Sequence, residues 1–271
     1  MPPSLIDSHC HLDRLDLEHL GGDLDTVLAA ADQQEVSHML CVSITLEDFP
    51  QVLQLAQRYP QVFASVGVHP NETEGRDPDC DELVALAADP VIVAIGETGL
   101  DYFRSEGDVE WQRRRFRQHI RAARACGKPL IIHTRDAERD TLDIMREERA
   151  GEVGGVMHCF TGSLAMAEAA LAEGFYISFS GIVTFKNASD LQAVAVRIPD
   201  DRLLIETDAP YLTPVPLRGK PNQPANVRLV AEKLASLRDV SIETLCAQTS
   251  ANFFALFSQA RARSATPSTD Q

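Results

Sequence analysis

The amino-acid sequence predicts an α/β protein folded as a (β/α)8 TIM barrel in a single domain. Eight short apolar runs recur along 271 residues, each followed by a helical pattern. The runs are apolar at nearly every position rather than alternating, as expected of parallel strands buried on both faces. The first run ends in His9-Cys10-His11, where an open doubly wound sheet would carry a Gly-rich dinucleotide loop.

The first strand is expected over 4–9, followed by a helix over 23–35. The second strand, 38–44, leads to a helix over 46–58, and the third, 62–68, to a helix over 80–88. Pro90 precedes the fourth strand, 91–97, and the longest helical pattern follows over 109–126, with Gly127 where a C-cap belongs. Pro129 opens the fifth strand, 129–134, before a helix over 137–149. The sixth strand, 154–159, precedes a helix over 163–173 bounded by Ser163 as N-cap and by Gly174. The seventh strand, 176–181, is paired with a helix over 188–197. The eighth, 203–208, is followed by two helices, 226–236 and 242–257, the second capped by Ser241. Residues 1–258 are thus assigned to the barrel. The small, polar, aperiodic residues 259–271 are expected to be a disordered C-terminal tail.

Composition is that of an ordinary globular protein, 44% hydrophobic and 24% charged. No apolar run approaches the roughly 20 residues of a membrane span, and the N-terminus enters a strand without a basic-then-apolar leader, so no membrane contact and a cytoplasmic location are expected. Six scattered cysteines without a C-x-x-C spacing read as free thiols. Strand alternation is expected to turn Cys10 and Cys159 toward the helix layer. The net charge of −15 argues against a protein that coats duplex nucleic acid. A polyanionic substrate would have to be drawn in locally, by divalent cations and a few basic loops.

Five of the apolar runs end in metal-binding side chains: Asp7-Ser8-His9-Cys10-His11, Glu97, His133, His158 and Asp208. Period-two geometry is expected to put Asp7, His9 and His11 on one face. Burying adjacent imidazoles, or a carboxylate such as Glu97, is unfavourable without a cation or hydrogen-bond partner. His69 ends the third strand, whereas His19, His38 and His119 lie on helices or before a strand and are expected to be structural. Asp208, with Glu206 two residues earlier, adds a second acidic pair. Four imidazoles and two or three carboxylates exceed what one tetrahedral ion needs and suit two divalent ions about 3.5–4 Å apart. Mg, Mn and Zn all suit such donors. Asp208 is placed to orient a water or take its proton.

Ile6-Asp7-Ser8-His9-Cys10-His11-Leu12, Gly96-Glu97-Thr98-Gly99-Leu100-Asp101-Tyr102, Ile132-His133-Thr134-Arg135, His158-Cys159-Phe160-Thr161-Gly162 and Glu206-Thr207-Asp208-Ala209-Pro210-Tyr211-Leu212 together resemble the TatD family of metal-dependent deoxyribonucleases. The resemblance implies a TIM-barrel hydrolase of the amidohydrolase superfamily that cleaves phosphodiester bonds as a 3′→5′ exodeoxyribonuclease. It implies one ion held by His9, His11, Glu97 and Asp208 and a second held by Glu97, His133 and His158, with Asp208 and Glu97 catalytic. Glu206 matches an acidic position near the metals, and Asp7 is expected beside them. For substrate binding the resemblance and the local chemistry point to His69, Arg135, Lys186, Arg218, Lys220 and Asn222, whose contacts would hold a phosphate backbone without reading its sequence. Arg113, Arg114, Arg115 and Arg117 are expected on an outward, solvated helix face.

Three function classes stand at this point. The first is a metal-dependent nuclease acting on single-stranded or frayed DNA ends, since a narrow barrel mouth admits a strand end but not a duplex. The second is a hydrolase of a small cyclic amide, lactone or phosphoester, because one fold hosts many chemistries. Many cyclic-amide members of the superfamily carry a modified lysine after the fourth strand, where this chain has Glu97. The third is a non-enzymatic metal-dependent adaptor, disfavoured because the spare carboxylates exceed a structural site's needs.

Overall fold

The computed structural model describes residues 4–105 and 107–264. Eight strands hydrogen-bond in parallel and in sequence order: β1 (Leu5–Cys10), β2 (Val36–Cys41), β3 (Val62–Val66), β4 (Ile92–Asp101), β5 (Leu130–Arg135), β6 (Gly155–Met157), β7 (Tyr176–Phe179) and β8 (Leu203–Ile205). Helices α1 (Leu24–Gln33), α2 (Phe49–Arg58), α3 (Cys80–Leu86), α4 (Glu110–Cys126), α5 (Glu138–Glu147), α6 (Leu164–Ala172), α7 (Ser189–Arg197) and α8 (Val227–Arg238) alternate with them, followed by α9 (Ile242–Leu256) and α10 (Ser258–Ser264). The Ser163 and Ser241 side chains accept the Met166 and Thr244 N–H groups at the starts of α6 and α9, and Gly127 ends α4 at φ 67°. The two ends of the sheet meet just beyond β8, where Asp208 N–H donates to His9 O at 2.9 Å and His11 N–H to Ala209 O at 2.7 Å. The chain therefore folds as the (β/α)8 barrel expected of it.

The apolar residues sort into two layers. Ile6, Leu40, Phe63, Ala94, Ile131, Val156, Tyr176 and Leu204, drawn from all eight strands, cluster inside the barrel with Phe253, Phe257 and Ala260. Leu5, Met39, Val66, Ile95, Ile132, Met157, Phe179 and Ile205 join helix residues in the outer layer. Phe253 of α9 and Phe257 just after it thus join the inward-facing side chains.

Two irregularities in this sheet fall at the chemistry. Between Asp7 and Cys10, β1 advances three residues while β2 advances two, from Met39 to Cys41. Between Ile95 and Thr98, β4 advances three while β5 advances two, from Leu130 to Ile132. Each is a bulge, and a bulge re-aims a side chain. With Ile6 and Ala94 facing inward, strict alternation would have sent His9 and Glu97 toward the helices.

The C-terminal expectation changes. Residues 258–264 form α10, with Ala260 buried in the interior cluster and Arg263 donating to Ala56 O and Val62 O at 2.7 and 3.0 Å. The rest of the expected tail, 265–271, lies outside the described residues. Among the described residues no helix is long and apolar enough to cross a membrane.

Helix α4 is less solvated than its arginines suggest. Arg115 is buried and donates to His69 O at 2.8 Å while pairing with Asp77, whereas Arg113 and Arg117 pair with Asp140 and Glu147 nearer the surface. Arg115 falls at helical spacing with buried Gln112, Phe116 and His119, on the inward face of α4 rather than the solvated one. One turn on, His119 accepts the Val68 N–H at Nε2, 3.0 Å, and its Nδ1 faces Arg115 O at 2.8 Å. That pairing requires a neutral ring protonated at Nδ1. Burial, with the Arg115 charge adding to it, lowers its pKa from 6.5 to about 4. The unfolded chain therefore binds the proton first, so the stability His119 contributes is present above pH 6.5 and is lost as pH falls toward 4. By pH 5 the loss should reach about 2 kcal/mol. Urea unfolding at pH 7.5 and pH 5 should show it, with a shallower pH slope in His119→Gln; equal slopes would refute the assignment.

Candidate active site

His9, His11, His69, Glu97, His133, His158, Glu206 and Asp208, singled out from the sequence, converge on one region at the C-terminal mouth of the barrel. Glu97 stands at its centre, with N–H bonded to Ser43 O at 3.0 Å and its side chain nearly fully buried. Its Oε2 lies 3.4 Å from His9 Nε2 and 4.0 Å from His11 Nε2. Its Oε1 lies 2.7 Å from His158 Nε2, 3.1 Å from His133 Nδ1 and 3.4 Å from His69 Nε2. Asp208 approaches from the opposite side, with Oδ1 3.5 Å from His11 Nε2 and 3.7 Å from His9 Nε2. Asp208 takes φ 56° directly after β8, a left-handed conformation that Asp tolerates better than most residues. Its carboxylate is 13% exposed, the most accessible acid of the cluster apart from the cavity rim.

Hydrogen-bond partners assign the tautomers. His11 Nδ1 donates to Val42 O at 2.9 Å, so its Nε2 lone pair faces the cluster. His158 Nδ1 lies 3.1 Å from Glu206 Oε1, which turns its Nε2 toward Glu97 in the same way. His69 is the reverse: its Nδ1 accepts the Asn71 N–H at 3.0 Å, so Nε2 carries the proton toward Glu97. Burial, and the neighbouring imidazoles with it, hold the His69 pKa near 3, so that ring stays neutral and is a hydrogen-bond donor into the site. His133 is flanked by carboxylates at both nitrogens, with Nε2 3.2 Å from Asp101 Oδ2.

The electrostatics show a site short of positive charge. Burial alone would raise Glu97 and Asp208, yet the surrounding imidazoles hold both below the usual carboxylate range. Burial would lower His158 and His133, yet Glu97 with Glu206, and Asp101 with Glu97, hold them above 6.5. His9 Nε2 and His11 Nε2 face each other at 3.3 Å. His9 Nδ1, His158 Nε2 and Glu206 Oε2 are shut off from solvent without an aligned hydrogen-bond partner; the 2.7 Å approach of His158 Nε2 to Glu97 is close but poorly directed. Convergent lone pairs and buried carboxylates of this kind fit divalent cations. Three donor groups within coordinating reach arise among the described residues: His9, His11 and Asp208; His69, Glu97 and His133; and His9, His158 and Glu206.

The remaining expectations divide. Asp7 is buried and accepts the Thr207 N–H and hydroxyl at 2.8 and 2.6 Å, which ties the end of β8 to β1. Burial nevertheless raises its pKa to about 8. The bulge in β1 explains why Asp7 does not share the face of His9. Asn222, expected to meet substrate, is instead fully buried, donating to Thr207 O and Tyr211 O and accepting from Gln223 N and Asn226 Nδ2. It braces the loop that carries Asp208 and has no hydrogen-bonding capacity left for a ligand. Cys159, expected to face the helices, lines the cavity at φ 43°, with Sγ 3.1 Å from Ser180 Oγ, because the ladder ends at Met157 and alternation ends with it.

The cavity above the cluster has a volume of about 640 Å³ and is walled by His69, Asp101, Arg104, Arg135, Cys159 and Tyr211 among others. His69 and Arg135 were expected there; Lys186, Arg218 and Lys220 stand on exposed loops outside its lining. Asp101 is a site residue that the sequence reading does not single out. It is buried, accepts from Asn71 Nδ2 at 2.7 Å, and orients His133. A strand expected to stop at 97 hid it, although the i, i+4 pair of acids Glu97 and Asp101 around Gly99 was a usable signal.

A family model described as TatD related DNase matches residues 6–258. A protein of Escherichia coli named uncharacterized metal-dependent hydrolase YcfH is 50% identical over 254 residues, covering 93% of this chain and 95% of that one. A Salmonella typhimurium protein named 3′-5′ ssDNA/RNA exonuclease TatD is 36% identical over 241 residues, covering 87% and 93%. The solved structure of YjjV, a TatD homologue from Escherichia coli, superposes with a TM-score of 0.86 at 29% identity, covering 95% of this chain and 99% of that one.

Proposed function

The chain belongs to the TatD related DNase family and is a metal-dependent hydrolase, and on that premise we propose that it trims single-stranded or frayed DNA from the 3′ end by hydrolysing phosphodiester bonds. The observation that carries the reading is the convergence of five imidazoles and the Glu97 and Asp208 carboxylates beneath a cavity open at the barrel mouth. The 36% identity to a relative named as an ssDNA/RNA exonuclease supports the substrate class.

In this reading His9, His11, Glu97 and Asp208 would hold one divalent cation, and Glu97, His133 and His158 would hold a second. Mg, Mn and Zn each suit the donors. When bound, such ions supply Lewis acidity to a phosphoryl oxygen and make hydroxide available near neutral pH.

The chain's own groups do the rest. Asp208, ionised because His11 and His9 hold its pKa down, orients the attacking water and takes its proton. His69, neutral and protonated at Nε2, donates toward the same space and can hold a phosphate oxygen without adding charge. Asp101 keeps His133 in place from behind, and Glu206 does the same for His158. Arg104 and Arg135 bring positive charge to the cavity wall of a chain whose net charge is −15. Lys186, Arg218 and Lys220, on loops beyond the cavity, would meet phosphates further along the strand. A cavity of about 640 Å³ accommodates a strand end and excludes a duplex.

Digestion of oligonucleotides labelled at either end, with the enzyme stripped by chelator and then given Mg²⁺, Mn²⁺ or Zn²⁺, tests the reading. Products should shorten stepwise from the 3′ end, and stripping should lower the rate by about 100-fold or more, restored by at least one ion. His133→Ala should remain inactive with every ion. Full activity after stripping, or internal cleavage alone, would overturn it.

A further inference from the structure

Among the described residues, two of the exposed large hydrophobic side chains are aromatic: Phe103, 59% exposed, beside Arg135 of the cavity wall, and Tyr211, 49% exposed. Tyr211 lines the cavity with its ring edge-on to His11, the centroids 6.0 Å apart. Phe103 is different, because a cation lies on it. The Arg135 guanidinium carbon is 3.8 Å from the Phe103 ring centroid. Neither Arg135 nor Arg104, both in the cavity wall, has a carboxylate within ion-pair distance among the described residues, in a chain with 40 acidic side chains.

This pair is built on the strands that position the chemistry. Gly99 pairs with His133 and Asp101 with Arg135 in the β4–β5 ladder, and Tyr102 N–H donates to Arg135 O at 2.9 Å. Arg135 therefore stands two residues beyond His133 on the same strand, roughly 6–7 Å further out along it. Phe103 stands two residues beyond Asp101, the group that holds His133 Nε2. The ladder fixes the Arg135 backbone, and the Phe103 ring packs against its guanidinium.

We propose that Phe103 and Arg135 form a stacking shelf for one nucleobase of the strand end, the one whose phosphate lies at the His133–Glu97 cluster. The inference rests on the nuclease reading above and adds to it a base subsite. An exposed ring flanked by a planar guanidinium offers stacking and cation–π attraction to any base and little hydrogen-bond discrimination. The subsite therefore favours a strand end bearing a base over one that lacks it, without preferring one base.

The test compares Phe103→Ala, Phe103→Trp and the wild type on two single strands, one intact and one whose 3′-terminal residue is abasic. Phe103→Ala should raise KM on the intact strand about ten-fold or more while kcat changes little, and the abasic strand should show less than a two-fold effect. Phe103→Trp should restore the intact-strand KM. An unchanged KM in Phe103→Ala, or an equal loss on both strands, overturns the shelf while leaving the nuclease reading intact. A wild type that hydrolyses neither strand with any divalent ion overturns both.

Discussion

Asp208→Asn should lower kcat by about 10³-fold or more while much of the bound metal and the melting temperature survive. The substitution keeps the volume and one oxygen of the side chain. It removes the negative charge that His9 and His11 face at 3.7 and 3.5 Å and the capacity to take a proton. Glu97 still reaches His9, His133 and His158, so the second donor group is intact. The fold should tolerate the change because the main-chain links here, Asp208 N–H to His9 O and Tyr211 N–H to Asp208 O, do not involve the side chain. Metal content by elemental analysis, thermal unfolding and turnover on a labelled single strand are the three measurements. Near-normal turnover would exclude Asp208 as the proton acceptor, and loss of all metal would make it a ligand first.

Gly99→Ala should damage both the fold and the site. Gly99 takes φ 134°, where an L side chain is strained, and a Cβ there would lie 2.0 Å from His133 O and 3.0 Å from His133 C. The obstacle is backbone held in the β4–β5 ladder, so relief requires moving the strand that carries His133. A destabilisation on the order of 3 kcal/mol or more is expected, lowering the melting temperature by roughly 5–10 °C. A displacement of His133 by even 1 Å should cost about 100-fold in rate. Wild-type melting with wild-type turnover would show that the two strands can separate at no cost, contrary to their packing.

The large features of this molecule were legible because they follow from burial. A continuous apolar run such as 91–95 is stable only with both faces covered, and eight of them alternating with helical patterns leave few architectures. The site residues were legible for the complementary reason: Glu97, His133 and His158 each end such a run, where an ionisable group needs a partner. Less local matters escaped. Asp101 lies beyond the apolar run because its strand pairing depends on Thr134 and Arg135 of the neighbouring strand. The sequence offers Asn222 as a ligand-binding amide and cannot show that the Thr207 and Tyr211 carbonyls already use its donors. An arginine run implies a solvated face, yet His69 O and Asp77 hold Arg115 inside. The helix at 258–264 replaced an expected tail because Ala260 has a place in the barrel interior that composition alone does not reveal.

By itself the sequence determined the eight-fold β-α repeat, the barrel that repeat closes into, and the identity of the histidines and carboxylates at its mouth, since hydrophobic periodicity and the desolvation of charge are local properties of the chain. Only the tertiary structure decided which way those side chains face. His9 and Glu97 point into the mouth because β1 and β4 each slip one residue against a neighbour, and Asp7 is tied to Thr207 across the closing seam. Register between strands is set by packing and hydrogen bonds among residues far apart in sequence, and a one-residue slip exchanges the two faces of a strand.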